Sequence, residues 1–175
     1  MNEQARTQEA LKVAIQMEID GKEFYLKASG ESSNELGKKL LKSLAAEEDI
    51  HRQRFKEIFE VISDKKAWPR TTLPVGGGKE LRTLFVEAAQ ELGAGKEAPA
   101  TELDSVQTAI DMETKTYDYY KLQAGLAATE VEKEFYQALV GQEREHRLVL
   151  LDYQEYLINP AGWFVKTEHP SLDGG

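Results

Sequence analysis

The chain has 175 residues, no cysteine and a formal net charge of −9, and this length fits one domain that buries a core without cross-links. The absence of cysteine excludes disulfides, iron–sulfur clusters, zinc ribbons and thiol nucleophiles, and the acidic balance predicts no binding to nucleic acid. No segment approaches the roughly 20 apolar residues that span a membrane, and the first residues lack a signal-peptide core. We therefore expect a soluble, cytoplasmic protein.

The first third of the chain predicts two long helices. The first runs from about residue 3 to 29, and its periodicity indicates an apolar stripe at Leu11, Ile15, Ile19, Lys22 and Leu26. The sequence Ser32-Ser33-Asn34-Glu35 is typical of a helix start, so a second helix is predicted to about residue 63. Because only a few residues join these helices, we expect them to lie antiparallel.

A crossover of different composition occupies about residues 64 to 100. It contains Pro69, Pro74 and the run Gly76-Gly77-Gly78, which we interpret as a flexible turn because it lacks the flanking strand and Lys-Ser/Thr of a phosphate loop. Residues 79 to 92 have the pattern of a shorter helix, and residues 93 to 99 that of a loop. A connection of this length can run along a bundle, which would place the long helices before and after it parallel.

The last part of the chain predicts another antiparallel pair. One helix runs from about residue 101 to 127, and the other from about 129 to 159, where Pro160 stops it. Period-two runs of β-branched residues are missing, so no sheet is predicted. We therefore predict an all-α four-helix bundle over residues 1–160, made of two antiparallel pairs joined by a long crossover that contains a short helix. Residues 161–175 are predicted to form an irregular tail.

An internal repeat with an offset of 95 residues relates the two halves. The pairs that match are Glu18 with Glu113, Tyr25 with Tyr120, Glu48 with Glu143, and His51 with His146. Most other positions differ between the halves. The matches are thus concentrated on residues with chemical function, which core packing alone does not predict.

Each half offers a single Glu on one helix and Glu-x-x-His on the next. Residues i and i+3 share a helix face, so Glu48 and His51 can reach one point, as can Glu143 and His146. A single Glu-x-x-His is usually a solvated surface pair, but two copies at one offset indicate a site. Packing the halves together would bury four carboxylates, whose charges require cations. Two divalent metals meet that need, and mixed carboxylate and imidazole ligation suits iron or manganese.

This pattern resembles the rubrerythrin family of the ferritin-like di-iron carboxylate superfamily, from about residue 8 to 157. The resemblance implies a ferritin-like bundle and two iron ions, for which manganese or zinc could substitute. It implies the metal ligands Glu18, Glu48, His51, Glu113, Glu143 and His146. It also implies that Tyr25 and Tyr120 orient ligand carboxylates by hydrogen bonds; the alternative is that both tyrosines only fill the core.

Two departures from typical rubrerythrins affect the predicted reaction. The rubredoxin domain, whose iron is held by four cysteines, is missing, so electrons would come from a separate donor such as rubredoxin. Thr116 stands where typical members have a second Glu, three residues after the ligand Glu113. That extra carboxylate takes part in a ligand exchange, so its replacement implies a more symmetric site.

The resemblance implies an oxidoreductase that reduces hydrogen peroxide. The alternative, which Thr116 favours, is a ferroxidase or iron-binding protein that uses oxygen, and a third reading is a metal-free helical interaction module. A homodimer is expected, and exchange of helix pairs between subunits stays open. Glu47, Asp49 and Glu145 flank the predicted ligands and are interpreted as surface charges, and His169, in a terminal loop, is given no function.

Overall fold

The computed structural model describes residues 3–74, 77–92 and 98–168. Its regular structure is entirely helical over these residues, which confirms the predicted fold class. The helices are α1 (Glu3–Glu31), α2 (Glu35–Ser63), α3 (Gly77–Leu92), α4 (Ala100–Leu126), α5 (Glu130–Ile158) and α6 (Pro160–Glu168). Within those ranges, no helix is long and apolar enough to cross a membrane.

Side-chain caps fix where α2 and α5 begin. The Asn34 side chain accepts a hydrogen bond from the backbone N–H of Leu36 at 2.9 Å. Asn34 is therefore the residue of the predicted start motif that caps α2. Thr129 Oγ1 accepts from the N–H of Glu132 at 3.2 Å, and the Glu132 carboxylate accepts from the N–H of Ala128 at 3.0 Å. Such a cap stabilises a helix by about 1 kcal/mol.

The four long helices form two pairs, α1 with α2 and α4 with α5. At one end of the bundle, the Glu102 carboxylate in the first turn of α4 accepts hydrogen bonds from three hydroxyls. Ser33 Oγ and the Tyr153 hydroxyl both lie at 2.9 Å, and Ser32 Oγ is the third donor. Because Ser32 and Ser33 lie just before Asn34, the cap of α2, α2 and α4 start at the same end and run parallel, as the crossover length indicated.

The crossover lies along the outer side of α2 and α5. Its extended part brings the Trp68 ring to within 5.8 Å of the Tyr136 ring, measured between centroids. Helix α3 then packs against both α5 and α2, with the Phe85 ring 5.9 Å from that of Tyr153. Gly77 and Gly78 lie in the first turn of α3 rather than in the flexible turn predicted for them, while Gly76 lies outside the described residues.

The predicted irregular tail is wrong for residues 161–168, which belong to α6. Proline ends α5 but is well suited to the first turn of a helix, where its missing N–H would have no partner. The Asn159 side chain caps the new helix by accepting from the N–H of Gly162 at 3.0 Å. Trp163, which is 4% exposed, anchors α6 against Phe85 and Tyr156. Residues 169–175, including His169, lie outside the described residues.

Two apolar clusters form the core, and a polar layer separates them. One contains Tyr25, Leu44, Leu150 and Tyr153, and the other contains Leu11, Phe55, Tyr120 and Leu139. The apolar stripe predicted for α1 is wrong at Leu26, which is 50% exposed, whereas Leu11 is buried and Ile15 is partly buried against a core cluster. The buried residues of α1 are Leu11, Ala14, Glu18, Gly21, Tyr25, Ala28 and Ser29.

Candidate metal centre

The structure brings the six predicted ligand residues together in the polar layer. They come from the middle of all four long helices, and each is at most 4% exposed: Glu18, Glu48, His51, Glu113, Glu143 and His146. Helical spacing puts each Glu-x-x-His pair on one inward face, so α2 and α5 each contribute a carboxylate and an imidazole. The facing helices α1 and α4 contribute one carboxylate each.

The six residues form two overlapping groups. One group is Glu18, Glu48, His51 and Glu143, and the other is Glu48, Glu113, Glu143 and His146; in each, the candidate ligand atoms lie within 4.8 Å of one another. Glu48 and Glu143 belong to both groups. If each group held an ion, Glu48 and Glu143 would be available to both ions, and Glu18 and Glu113 to one each.

The imidazoles direct the same ring nitrogen into the cluster. His51 Nδ1 lies 3.2 Å from Glu143 Oε1 and 3.4 Å from Glu18 Oε2. His146 Nδ1 lies 3.5 Å from Glu48 Oε1 and 3.7 Å from Glu113 Oε2. The rings stack with centroids 5.7 Å apart, at an interplanar angle of 18°. Each group thus offers one nitrogen ligand to a central ion.

Two buried tyrosines contact the outer carboxylates from the opposite half. The Tyr25 hydroxyl donates to Glu113 Oε1, and the Tyr120 hydroxyl donates to Glu18 Oε1. Burial raises the pKa of both phenols, and the adjacent carboxylate raises each further. Each phenol therefore keeps its proton and holds one carboxylate oxygen, which leaves the other oxygen turned toward a histidine.

A further residue, Gln142, contacts the ring nitrogen of His51 that points away from the cluster. Its Oε1 lies 2.6 Å from His51 Nε2, and its own Nε2 donates to the Pro74 carbonyl of the crossover at 2.8 Å. The carbonyl contact identifies the amide oxygen as the acceptor, so Nε2 of His51 carries the proton and Nδ1 is free to bind a cation. Sequence reasoning missed Gln142, although it directly precedes the ligand candidate Glu143.

The unsatisfied atoms of the cluster test whether metal ions fit. Seven buried atoms have no hydrogen-bond partner: Glu18 Oε2, His51 Nδ1, Glu113 Oε2, both carboxylate oxygens of Glu143, and His146 Nδ1 and Nε2. Leaving so many buried polar atoms unpaired is costly. All but His146 Nε2 are candidate ligand atoms, and carboxylate with imidazole is a donor set that suits divalent iron or manganese. The residues present therefore fit two such ions.

The electrostatics of the cluster show how it behaves when protons replace cations. Burial raises the pKa of Glu18 and Glu113 well above the usual range. The Glu48 carboxylate raises the pKa of Glu18 further, and the carboxylates of Glu143 and Glu48 raise that of Glu113 further. Burial would lower the pKa of both histidines, but the surrounding carboxylates outweigh it and raise both. Proton binding at these four groups is therefore favoured when no cation neutralises the carboxylates.

The remaining predicted residues lie outside the cluster. Thr116 Oγ1 donates to the carbonyl of Met112 in its own helix at 3.1 Å. Asp49 forms ion pairs with Lys22 at 2.8 Å and with Arg52 at 2.7 Å. The hydrogen bond from Lys22 is the main cause that lowers the pKa of Asp49 to about 2. Glu47 and Glu145 are partly exposed.

Comparison with family models places the chain in a known family. A family model described as Rubrerythrin matches residues 9–154, a segment that includes all six cluster residues and both tyrosines. No curated protein and no solved structure matches the chain.

Proposed function

The chain belongs to the rubrerythrin family, and from this membership and its buried cluster we infer that it is a di-iron oxidoreductase that reduces hydrogen peroxide. The observation that carries the di-iron assignment is the set of buried, unpaired ligand atoms in two overlapping groups. Glu18 and His51 would hold one ion, Glu113 and His146 the other, and Glu48 and Glu143 would bridge them. Because these residues converge within one chain, we propose a site that one subunit completes.

When bound, two ferrous ions supply one electron each, and these two electrons with two protons convert one hydrogen peroxide molecule into two water molecules. The protein's residues hold and shield the site. Tyr25 and Tyr120 each fix one oxygen of an outer carboxylate, and the two apolar clusters exclude water above and below the polar layer. A separate donor protein of the rubredoxin type then returns the electrons. A homodimer is the assembly we propose.

Metal content and peroxide kinetics test this proposal. After anaerobic reconstitution with ferrous iron, elemental analysis should find close to two irons per chain. The reduced protein should then be oxidised by peroxide faster than free ferrous iron is. A protein that takes up no iron would instead be the helical interaction module.

Paired variants test the placement of the metals. Glu143→Ala removes a residue common to both groups, and we expect the loss of both irons. Glu145→Ala, a partly exposed residue two positions away, should keep both. Two irons per chain in both variants would show that the site lies elsewhere.

A ferroxidase that uses oxygen is the second candidate, and the observation that favours it is the missing acidic side chain at Thr116. Stopped-flow oxidation of the reduced protein by oxygen and by peroxide, at equal concentrations, separates the two reactions. Faster oxidation by peroxide supports the peroxidase, and faster oxidation by oxygen supports the ferroxidase. Iron storage additionally needs a hollow shell, so a dimer in solution would exclude it.

A further inference from the structure

Contacts inside the cluster come in pairs that the 95-residue offset exchanges. The hydrogen bond from Tyr25 to Glu113 corresponds to the one from Tyr120 to Glu18. The 3.2 Å contact of His51 with Glu143 corresponds to the 3.5 Å contact of His146 with Glu48. The 3.4 Å contact of His51 with Glu18 corresponds to the 3.7 Å contact of His146 with Glu113.

One contact lacks its counterpart. His51 Nε2 is bonded to Gln142 at 2.6 Å, but His146 Nε2 has no hydrogen-bond partner although the residue is 0% exposed. The position that corresponds to Gln142, 95 residues earlier, is Glu47. Glu47 directly precedes the ligand candidate Glu48, just as Gln142 directly precedes Glu143.

We propose that Glu47 is a positioning residue that accepts a hydrogen bond from Nε2–H of His146. Glutamate and glutamine have the same carbon skeleton, so Glu47 can span the distance from α2 to His146 that Gln142 spans from α5 to His51. Glu47 is partly exposed and makes no hydrogen bond or ion pair within the residues that the structure describes, so its side chain can turn inward. A histidine that binds metal through Nδ1 carries its proton on Nε2, and such a proton is normally given to a carboxylate, a carbonyl or water.

The two metal positions then differ in the residue that accepts the Nε2–H hydrogen bond of their histidine. His146 donates to a carboxylate and His51 to a neutral amide, and a carboxylate acceptor makes an imidazole the more basic ligand. The groups facing the ions are otherwise alike in both halves. The ion at His146 is therefore held more tightly than the ion at His51. This difference in affinity rests on the proposed function, whereas the hydrogen bond of Glu47 does not.

Nitrogen-15 NMR of the histidine side chains tests the hydrogen bond directly. In zinc-loaded protein, which is diamagnetic, Nε2–H of His146 should be shifted downfield and exchange slowly with solvent. Glu47→Ala should abolish both properties for His146 and leave His51 unchanged, and Gln142→Ala should do the reverse. An unchanged His146 signal in Glu47→Ala would overturn the proposal.

Mössbauer spectroscopy of the iron-loaded protein tests the consequence. Glu47→Gln places amides behind both histidines, and Gln142→Glu places carboxylates behind both. The two quadrupole doublets of the wild type should therefore move closer together in each single variant and separate again in the double variant. Glu47→Ala should lower the affinity of the protein for one of the two irons about 10- to 100-fold. Doublets that do not respond to any of these changes would contradict the proposed difference between the ions.

Failure of this proposal is distinguishable from failure of the di-iron assignment. If the wild type binds no metal, the di-iron assignment fails, and NMR of the metal-free protein still decides the hydrogen bond through the response of His146 to Glu47→Ala. If the wild type binds two metals and His146 does not respond, only the role of Glu47 fails.

Discussion

A carboxylate that binds a metal with one oxygen needs a partner for the other, and in this cluster a tyrosine from the opposite half provides it. Glu113 Oε1 accepts from Tyr25 while Glu113 Oε2 faces His146, and Glu18 is arranged in the same way between Tyr120 and His51. The tyrosines therefore set the direction of the outer carboxylates. They also link α1 to α4 through the polar layer.

Removing either hydroxyl should weaken metal binding by a similar amount. Tyr25→Phe and Tyr120→Phe each leave a buried carboxylate oxygen without its donor, and we expect about a 10-fold or greater loss of affinity for one ion. Competition with a chromophoric chelator measures it. Tyr119→Phe is the matched control, because the Tyr119 hydroxyl bonds the backbone carbonyl of Ala10 at 2.9 Å, away from the cluster. If Tyr25→Phe and Tyr120→Phe bind metal as tightly as Tyr119→Phe and the wild type do, the tyrosines do not orient the ligands.

Metal uptake should release protons, and metal affinity should fall as the pH falls. Burial raises the pKa of Glu18 and Glu113, and neighbouring carboxylates raise the pKa of His51 and His146, so in the metal-free protein these groups bind protons more readily than free side chains do. A cation must displace these protons, and each proton released lowers the affinity by about tenfold per pH unit of acidification. Titration with zinc in a weakly buffered solution, followed with a pH indicator, measures the release. Binding without proton release would contradict the raised pKa values.

Among the secondary-structure elements, α2 and α5 were predicted closely because side chains next to them provide caps, at Asn34 and Thr129. Helix α6 was missed because Pro160 was interpreted only as a stop, whereas the cap of Asn159 makes it a start. The buried face of α1 was also missed. It carries Glu18, Gly21 and Tyr25 among small residues, so counting large apolar side chains could not identify it.

The convergence of the six cluster residues could be predicted because the repeat marks each of them in both halves. Six buried polar residues on four helices match at one offset, and that regularity is visible without coordinates. Gln142 could not be found in this way, since its counterpart is Glu47 and the two residues differ. Contacts that differ between the halves need the structure.

Two glycines in helices should respond oppositely to alanine. A Cβ at Gly37 would overlap the Tyr153 hydroxyl and lie 2.8 Å from Ser32 Oγ, whereas a Cβ at Gly141 has nothing within 4 Å. Gly37→Ala should lower the free energy of unfolding by about 1–3 kcal/mol through overpacking. Gly141→Ala should raise it by about 0.5–1 kcal/mol through helix propensity. Urea denaturation measures both, and stabilisation by Gly37→Ala would mean that the Ser32, Glu102 and Tyr153 contacts are not formed.

At the scale of the whole molecule, the polar layer divides the core, and its stability depends on what neutralises it. The apolar clusters on either side pack without any metal, so the metal-free protein should remain folded. Four carboxylates from four helices nevertheless face one another between those clusters, and two cations would join all four helices at that level.

Removing metal should therefore lower the melting temperature without unfolding the protein. A ligand that binds only the folded state, present at 100 times its dissociation constant, stabilises it by about 2.7 kcal/mol. Thermal melts followed by circular dichroism, with ferrous iron or with chelator under anaerobic conditions, should show a helical chelated protein with a lower midpoint. Glu143→Ala is the control, because a protein without the bridging carboxylate should melt at the same temperature in both conditions. A shift of equal size in Glu143→Ala would place the stabilising ions outside the cluster, since only ions held between α2 and α5 depend on that side chain.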